Sequence, residues 1–355
     1  MSSLQYSLLP PPSSPDDASI SGLGTSKSRF SIASFSLTHD KDAIKTYRRM
    51  ANKTNNKDVQ MTYCKYLLQV ADLYQSKGDN KKKPTTADLT RQRLLEEAEY
   101  WVEKLAASGH PEALYMKGMW HASNDHDCVG LIYQGINHEK AFKCLRAAAK
   151  RGWMDASYQV ARYWRDRGDY KKTLACYKTA AHQGHVLANY KMARILLRGQ
   201  LQQKINIKQG LEYLKSAADD PSDDSAQAAY DLSCVYSDNV EAIGMERDCL
   251  ASRKNVGMAM HYLVKSQQSG WIDAYYQLGI VYEQGALDQP CDLTKAFEYY
   301  TKAAEDGHAQ AMLALSRFYS QGIPGLSIPP HPSLAFKWCQ RAASYGLTQA
   351  EYTLG

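Results

Sequence analysis

One glycine recurs six times in this chain in the same local register, at Gly109, Gly152, Gly184, Gly270, Gly307 and Gly346. An alanine follows four positions after every one of these glycines. A large residue follows at six positions, at Tyr115, Tyr158, Tyr190, Tyr276, Leu313 and Tyr352. A small residue follows at nine positions, at Gly118, Ala161, Ala193, Gly279, Ser316 and Gly355. Six copies in one register indicate an internal structural repeat.

Each copy predicts two helices joined at the glycine, which would end the first helix in a left-handed conformation. Ten positions before the glycine stands a large residue, at Phe142, Leu174, Met260, Phe297 and Phe336. Between Gly184 and Gly270 the sequence contains a degraded copy whose turn is rewritten around Pro221. The pattern therefore predicts about seven helix-turn-helix repeats.

Packing follows from this register. The small residues would let helices approach closely, and we expect the large residues at positions −10 and +6 to fill the space beside them. Because each pair can bury its apolar face only against its neighbours, the sequence predicts an all-α solenoid.

Three segments divide the chain. Residues 1–40 are rich in serine and proline and predict a disordered tail, with Ser14 and Ser31 as candidate phosphorylation sites. Residues 41–90 predict an N-terminal helical cap followed by a basic loop, and residues 91–355 the repeat solenoid. The sequence ends within the second helix of the last repeat, so we expect that repeat to be truncated, because solenoids need a closing helix.

Composition limits the function. The formal net charge of +6, with 43 basic and 37 acidic residues, is too weak for a dedicated nucleic-acid surface. The eight cysteines form no C-x-x-C pair, which favours a reducing, cytoplasmic compartment. We expect no transmembrane helix and no signal peptide.

Candidate chemistry is sparse. His121, His126 and Cys128 lie near Asp125 and Asp127, but this spacing matches no standard zinc pattern and is typical of a polar loop between repeats. His110, His185 and His308 each follow a turn glycine, and this indicates a repeat feature rather than catalysis. Without a nucleophile–base pattern or a phosphate-binding loop, we expect no catalytic residue, no metal and no cofactor.

One column of basic residues recurs five or six positions before the turn. Its members are Lys104, Arg146, Lys178, Lys215, Lys265, Lys302 and Arg341, and we expect Lys178, Lys265 and Lys302 to be solvated. Cations near a helix C-terminus stabilise the helix dipole, and this is one interpretation of the column. The other is a surface that binds an acidic segment of a protein partner.

The repeat register resembles the Sel-1-like repeat, a relative of the tetratricopeptide repeat, from about Leu94 to Gly355. The segments GHVLANYKMARILLRG and AFEYYTKAAEDGHAQA carry the resemblance. The segment from Tyr47 to Tyr74 and that from Leu94 to Tyr115 are similar to fungal chitin synthase regulatory factors.

This second resemblance implies a non-enzymatic adaptor. It would bind the cytosolic part of a membrane chitin synthase, with septum scaffold proteins as further partners, and would reach the plasma membrane or septum through its partner. The alternative is a generic scaffold in signalling or protein quality control. Enzymatic activity, attributed to some secreted bacterial relatives, is disfavoured because the cysteine pairs of those relatives are missing. Some members of this family end in a prenylation box, but the last four residues here are Tyr352, Thr353, Leu354 and Gly355, without its cysteine, so we do not expect a lipid anchor.

Overall fold

A computed structural model describes residues 41–74, 86–122, 135–244, 254–322 and 329–354. In these ranges the chain forms sixteen α-helices and two short 3-10 helices, and no strand. The described residues belong to two compact units whose boundary falls between Tyr63 and Cys64, inside the second helix. The all-α prediction is confirmed.

The helices are numbered in chain order. Their bounds are α1 Lys41–Lys53, α2 Lys57–Leu73, α3 Thr86–Ala107, α4 Pro111–Ala122, α5 His138–Lys150, α6 Met154–Asp166, α7 Tyr170–His182, α8 Val186–Arg198, α9 Ile207–Ala218, α10 Ala226–Tyr236, α11 Val256–Gln268, α12 Ile272–Gln284, α13 Leu293–Glu305, α14 Ala309–Gln321, α15 Pro332–Ser344 and α16 Thr348–Leu354.

The first unit contains α1 and the start of α2. Its turn is held by Gln60, whose Nε2 donates to the carbonyl oxygens of Ala51 (3.2 Å) and Thr54 (2.9 Å). Asn56 caps α2, since its Oδ1 accepts from the backbone N–H of Asp58 at 2.9 Å. The role of this unit as a cap, like the other predicted domain boundaries, stays a prediction, and the predicted disordered tail lies outside the described residues.

The second unit contains seven helical pairs, from α3–α4 to α15–α16, as the register predicts. All six turn glycines have φ between 78° and 96°, in the left-handed region that favours glycine. The degraded copy uses a different turn, in which a 3-10 helix at Asp223–Ser225 leads into α10. Insertions in the sequence follow α4, α8, α10, α12 and α14, which are all second helices of their pairs.

Small residues create the close contacts. The six alanines at position +4 have no exposed surface. A Cβ added to Gly118 would lie 2.8 Å from Cγ of Leu145, and one added to Gly279 would overlap the ring of Tyr300. Position +9 of one pair therefore packs against position −7 of the next.

The expected large residues fill this space only in part. Phe336 at position −10 is 56% exposed, and Tyr352 at position +6 is 88% exposed. The larger buried side chains lie at position −7 instead, at Val102, Leu145, Tyr177, Leu263, Tyr300 and Cys339. Position −7 packs against position +9 of the preceding pair, whereas the side chains at position −10 are half-buried or exposed.

Polar side chains start the first helices. The residue before the helix accepts a backbone N–H of the first turn through its side chain, at Asn137, Asp169, Asn206, Asn255 and Asp292. These caps satisfy donors that have no partner within the helix. They place each first helix at a defined position after a loop of variable length.

Candidate partner-binding surface

The predicted basic column lies on the first helices of all seven pairs. Six of its side chains are exposed: Lys104, Arg146, Lys178, Lys215, Lys302 and Arg341. Some of them rest on aromatic rings, with Nζ of Lys104 4.7 Å from the Trp101 centroid and Cζ of Arg341 5.5 Å from that of Trp338. Cation–π contacts restrict these long side chains while leaving the charge accessible.

Lys265 differs from the rest of the column. Its side chain is half-buried, and Nζ donates to the carbonyl oxygens of Ala218 (2.5 Å) and Asp220 (2.8 Å). The expectation of a solvated side chain is therefore confirmed for Lys178 and Lys302 and wrong for Lys265. The cause is the rewritten turn of the preceding pair, whose free carbonyls need a donor.

A groove of about 800 Å³ runs beside α11 and this turn. Its walls include Pro221, Met260, Val264, Lys265 and Leu287. The groove combines these apolar side chains with Lys265 and with the carboxylates of Asp219 and Asp288, and a partly apolar groove of this kind can hold a short peptide segment. The sequence register identified Pro221 and Met260 as notable positions, but it could not show that both residues line the same groove.

The histidines after the turn glycines cap the second helices. Nδ1 of His185 accepts from the backbone N–H of Ala188 at 3.1 Å, and Nδ1 of His308 accepts from that of Ala311 at 3.1 Å. His110 contacts the backbone N–H of Ala113 in the same way at 3.4 Å. The prediction of a repeat feature therefore has a structural explanation.

Asp231 and Cys64 are buried groups with strongly shifted pKa values. Burial raises the pKa of Asp231 to about 6, although the hydroxyl of Tyr190 donates to its Oδ2 at 2.8 Å and opposes the shift. Burial also raises the pKa of the Cys64 thiol to about 12, and this keeps the thiol protonated and unreactive at neutral pH. Neither group lies in a cleft with a second catalytic partner.

The remaining sequence candidates contribute no further site. His126 and Cys128 lie outside the described residues, and in the described ranges no three His, Cys, Asp or Glu side chains are grouped as metal ligands would be. The six cysteines that the structure describes are free thiols. None of the helices in the described part of the chain has the length and apolar character needed to cross a membrane.

Comparison with known proteins identifies the repeat. The family model described as "Sel1 repeat" matches residues 129–153, 155–185, 186–222, 272–308 and 309–346. A solved structure, a Sel1 repeat protein from Oxalobacter formigenes, aligns with a TM-score of 0.53 at 21% identity, covering 72% of this chain and 94% of that one. At this identity the likeness supports the fold alone.

Curated relatives extend the comparison. Chitin synthase regulator SKT5 of Saccharomyces cerevisiae is 28% identical over 328 residues, covering 88% of this chain and 44% of that protein. Chitin synthase regulatory factor 3 of Schizosaccharomyces pombe is 28% identical over 249 residues, covering 69% and 25%. Cytochrome c oxidase assembly factor 7 of Xenopus tropicalis is 34% identical over only 76 residues, covering 21% and 32%.

This chain thus spans less than half the length of each of these three relatives. The repeat matches and the seven helical pairs show that this all-α chain contains Sel1 repeats, and the chain is similar to the fungal chitin synthase regulators.

Proposed function

We propose that this chain is a non-enzymatic regulator of chitin synthesis that acts by binding a cytosolic segment of a chitin synthase. One observation carries the proposal. The similarity to the Saccharomyces cerevisiae regulator covers 88% of the chain, so it includes part of the sequence ahead of residue 91, where the repeat register begins. A relationship through the repeats alone would not extend there.

The first helices supply the binding surface in this proposal. Exposed cations recur along them once per pair, and the groove beside α11 offers apolar contacts next to Lys265. An acidic segment of the synthase would pair with the cations and place an apolar side chain in the groove. The regulator would then lie at the plasma membrane or septum through its partner, together with septum scaffold proteins.

The test is a direct binding measurement. The full chain is titrated against the purified cytosolic regions of a chitin synthase, using biolayer interferometry at two salt concentrations. The test variant changes Arg146, Lys178 and Lys302 to Glu, because all three side chains are exposed, while Lys265 is left intact to preserve the turn. We expect weaker binding by this variant, with a difference that shrinks as salt screens the charges.

A second triple variant serves as the control. It changes Lys140, Lys204 and Lys254 to Glu. These three residues are exposed cations outside the basic column, so the control variant has the same net charge as the test variant. Equal binding by the two variants would mean that the basic column does not bind the partner and serves only to stabilise the helix dipoles. No binding by the wild-type chain would leave the second candidate, a general scaffold, which the short match to cytochrome c oxidase assembly factor 7 illustrates.

A further inference from the structure

Two contacts between helical pairs are built alike. We call the contact of α6 with α7 and α8 the first seam. In it the ring centroids of Tyr158 and Tyr177 lie 5.7 Å apart, and Tyr158 stacks on His185 at 4.6 Å. Because Nδ1 of His185 accepts a backbone N–H, its proton lies on Nε2, which is 3.3 Å from Oδ1 of Asp155.

The contact of α12 with α13 and α14, the second seam, repeats this geometry. The centroids of Tyr276 and Tyr300 lie 5.8 Å apart, and Tyr276 stacks on His308 at 4.4 Å. Nε2 of His308 is 3.3 Å from Oδ1 of Asp273. Corresponding residues of the two seams can therefore be compared one by one.

A carboxylate completes the second seam. Glu283 stands thirteen positions after its turn glycine, and its Oε2 accepts from the hydroxyl of Tyr300 at 2.7 Å. Its Oε1 pairs with the guanidinium of Arg317 on the next pair. One side chain thus satisfies a phenol that is only 1% exposed and an arginine.

The first seam has an arginine at the position of this carboxylate. Arg165 stands thirteen positions after Gly152, while Tyr177 corresponds to Tyr300 and Arg194 to Arg317. Tyr177 is 1% exposed, and its hydroxyl has no hydrogen-bond partner among the residues that the structure describes. A buried hydroxyl without a partner costs free energy, which a suitable acceptor would recover.

Cations surround this hydroxyl and the neighbouring surface. They are Arg162 and Arg165 on α6 and Lys191 and Arg194 on α8. Burial, followed by the repulsion of the three arginines, lowers the pKa of Lys191. The arginine contribution to this shift reflects the positive charges that lie close to Lys191.

The carboxylates nearby do not replace Glu283. Asp166 pairs with Arg165 at 2.8 Å, but it is the adjacent residue and is exposed. Asp231 is engaged by the hydroxyl of Tyr190, against whose ring Arg194 also packs at 5.7 Å. Neither carboxylate accepts a hydrogen bond from the hydroxyl of Tyr177.

We propose that the first seam binds an acidic side chain of a protein partner, whose carboxylate takes the place that Glu283 occupies in the second seam. The carboxylate would accept from the Tyr177 hydroxyl and pair with Arg165 and Arg194. The occupant is a glutamate- or aspartate-rich peptide segment, since the equivalent group in this chain is itself a carboxylate. The arginines of this site lie on the second helices α6 and α8, and Tyr177 lies on the first helix α7, next to Lys178 of the basic column. The proposal does not depend on the partner's being a chitin synthase.

The test uses a fluorescein-labelled hexaglutamate peptide and the full chain, with fluorescence anisotropy as the readout and a hexaglutamine peptide as reference. Wild type is expected to bind hexaglutamate preferentially. Arg165→Glu restores the arrangement of the second seam within the chain, so it should weaken peptide binding about tenfold and raise the melting temperature. Tyr177→Phe should also weaken binding but leave the melting temperature equal or higher, because it removes a hydroxyl without a partner.

Two controls separate this site from general charge effects. Lys254→Glu makes the same charge change on an exposed loop residue and should leave binding unchanged. Glu283→Arg gives the second seam the composition of the first and should lower the melting temperature. The proposal is overturned if hexaglutamate and hexaglutamine bind equally, if Arg165→Glu behaves like Lys254→Glu, or if inorganic phosphate binds while the glutamate peptide does not.

Discussion

The alanine four positions after each turn glycine lies where two helical pairs are in contact. In the pair α7–α8 this residue is Ala188, which has no exposed surface and belongs to a cluster with Tyr158, Tyr177 and Met192. No larger side chain fits at this position without moving a neighbour. The alanine column was predictable from the sequence because the same residue recurs in every copy.

Replacing Ala188 with leucine is expected to lower the free energy of unfolding by about 1–3 kcal/mol, because overpacking forces neighbouring side chains out of their preferred rotamers. Denaturant unfolding followed by circular dichroism measures the effect. Ala175→Leu, on the exposed face of α7, is the control and should change the free energy by less than about 0.5 kcal/mol. Equal losses in the two variants would contradict the close contact.

Asp231 predicts a pH dependence of stability. Burial raises its pKa in the folded state to about 6, above that of an aspartate in the unfolded chain. The folded state therefore binds the proton more tightly, and the resulting stabilisation is present at low pH and is lost as the pH rises through about 6.

Asp231→Asn cannot carry this charge. The difference in free energy of unfolding between this variant and wild type should therefore change in favour of the variant by about 1–3 kcal/mol from acidic to neutral pH. The upper limit follows from the difference between the folded and unfolded pKa values of Asp231. Thermal or denaturant unfolding across this pH range checks the result, with Asp306→Asn at an exposed position as control. A difference that is independent of pH would contradict a titrating Asp231.

At the scale of helices, contact between pairs depends on a small residue at position +9 facing a larger residue at position −7. The sequence register identified the small residues but not their partners. The partners differ in size and type, from Val102 to Tyr300, so no single residue recurs to reveal the column. Their common property is burial, which depends on how successive pairs stack.

Gly279→Ala tests this contact. The added Cβ would overlap the ring of Tyr300, which cannot move away easily because it is buried and donates to Glu283. The cost of overpacking, about 1–3 kcal/mol, should exceed the gain of roughly 1 kcal/mol from the higher helix propensity of alanine. The variant should therefore have a lower free energy of unfolding than wild type. Gly257→Ala in α11, where the new Cβ meets no close neighbour, should instead be more stable by about 0.4–1 kcal/mol.

These two variants are best compared by their melting temperatures in one buffer. A shift in opposite directions is the expected result. Stabilisation of the protein by both substitutions would mean that position +9 is not closely packed.

At the scale of the whole molecule, the basic column and the second-helix cations lie on different elements. Counting from the turn glycine was enough to place the column on the first helices, since the fold repeats with the sequence. The same count places Arg165 and Glu283 at equivalent positions of two repeats, but only the structure shows that Glu283 contacts Tyr300 and Arg317. Lys265 was not predictable, because its contacts depend on the turn at Pro221, which breaks the repeat.

In the proposed function, the chain changes chitin synthesis by binding a chitin synthase through exposed charges on its first helices. The most direct measurement is the rate of chitin synthesis by membranes that contain a chitin synthase, with and without the purified full chain. We expect the wild-type chain to change this rate and the variant with Glu at positions 146, 178 and 302 to have a weaker effect, while the control variant with Glu at 140, 204 and 254 acts like wild type. A correctly folded wild-type chain that leaves the rate unchanged would contradict this proposal.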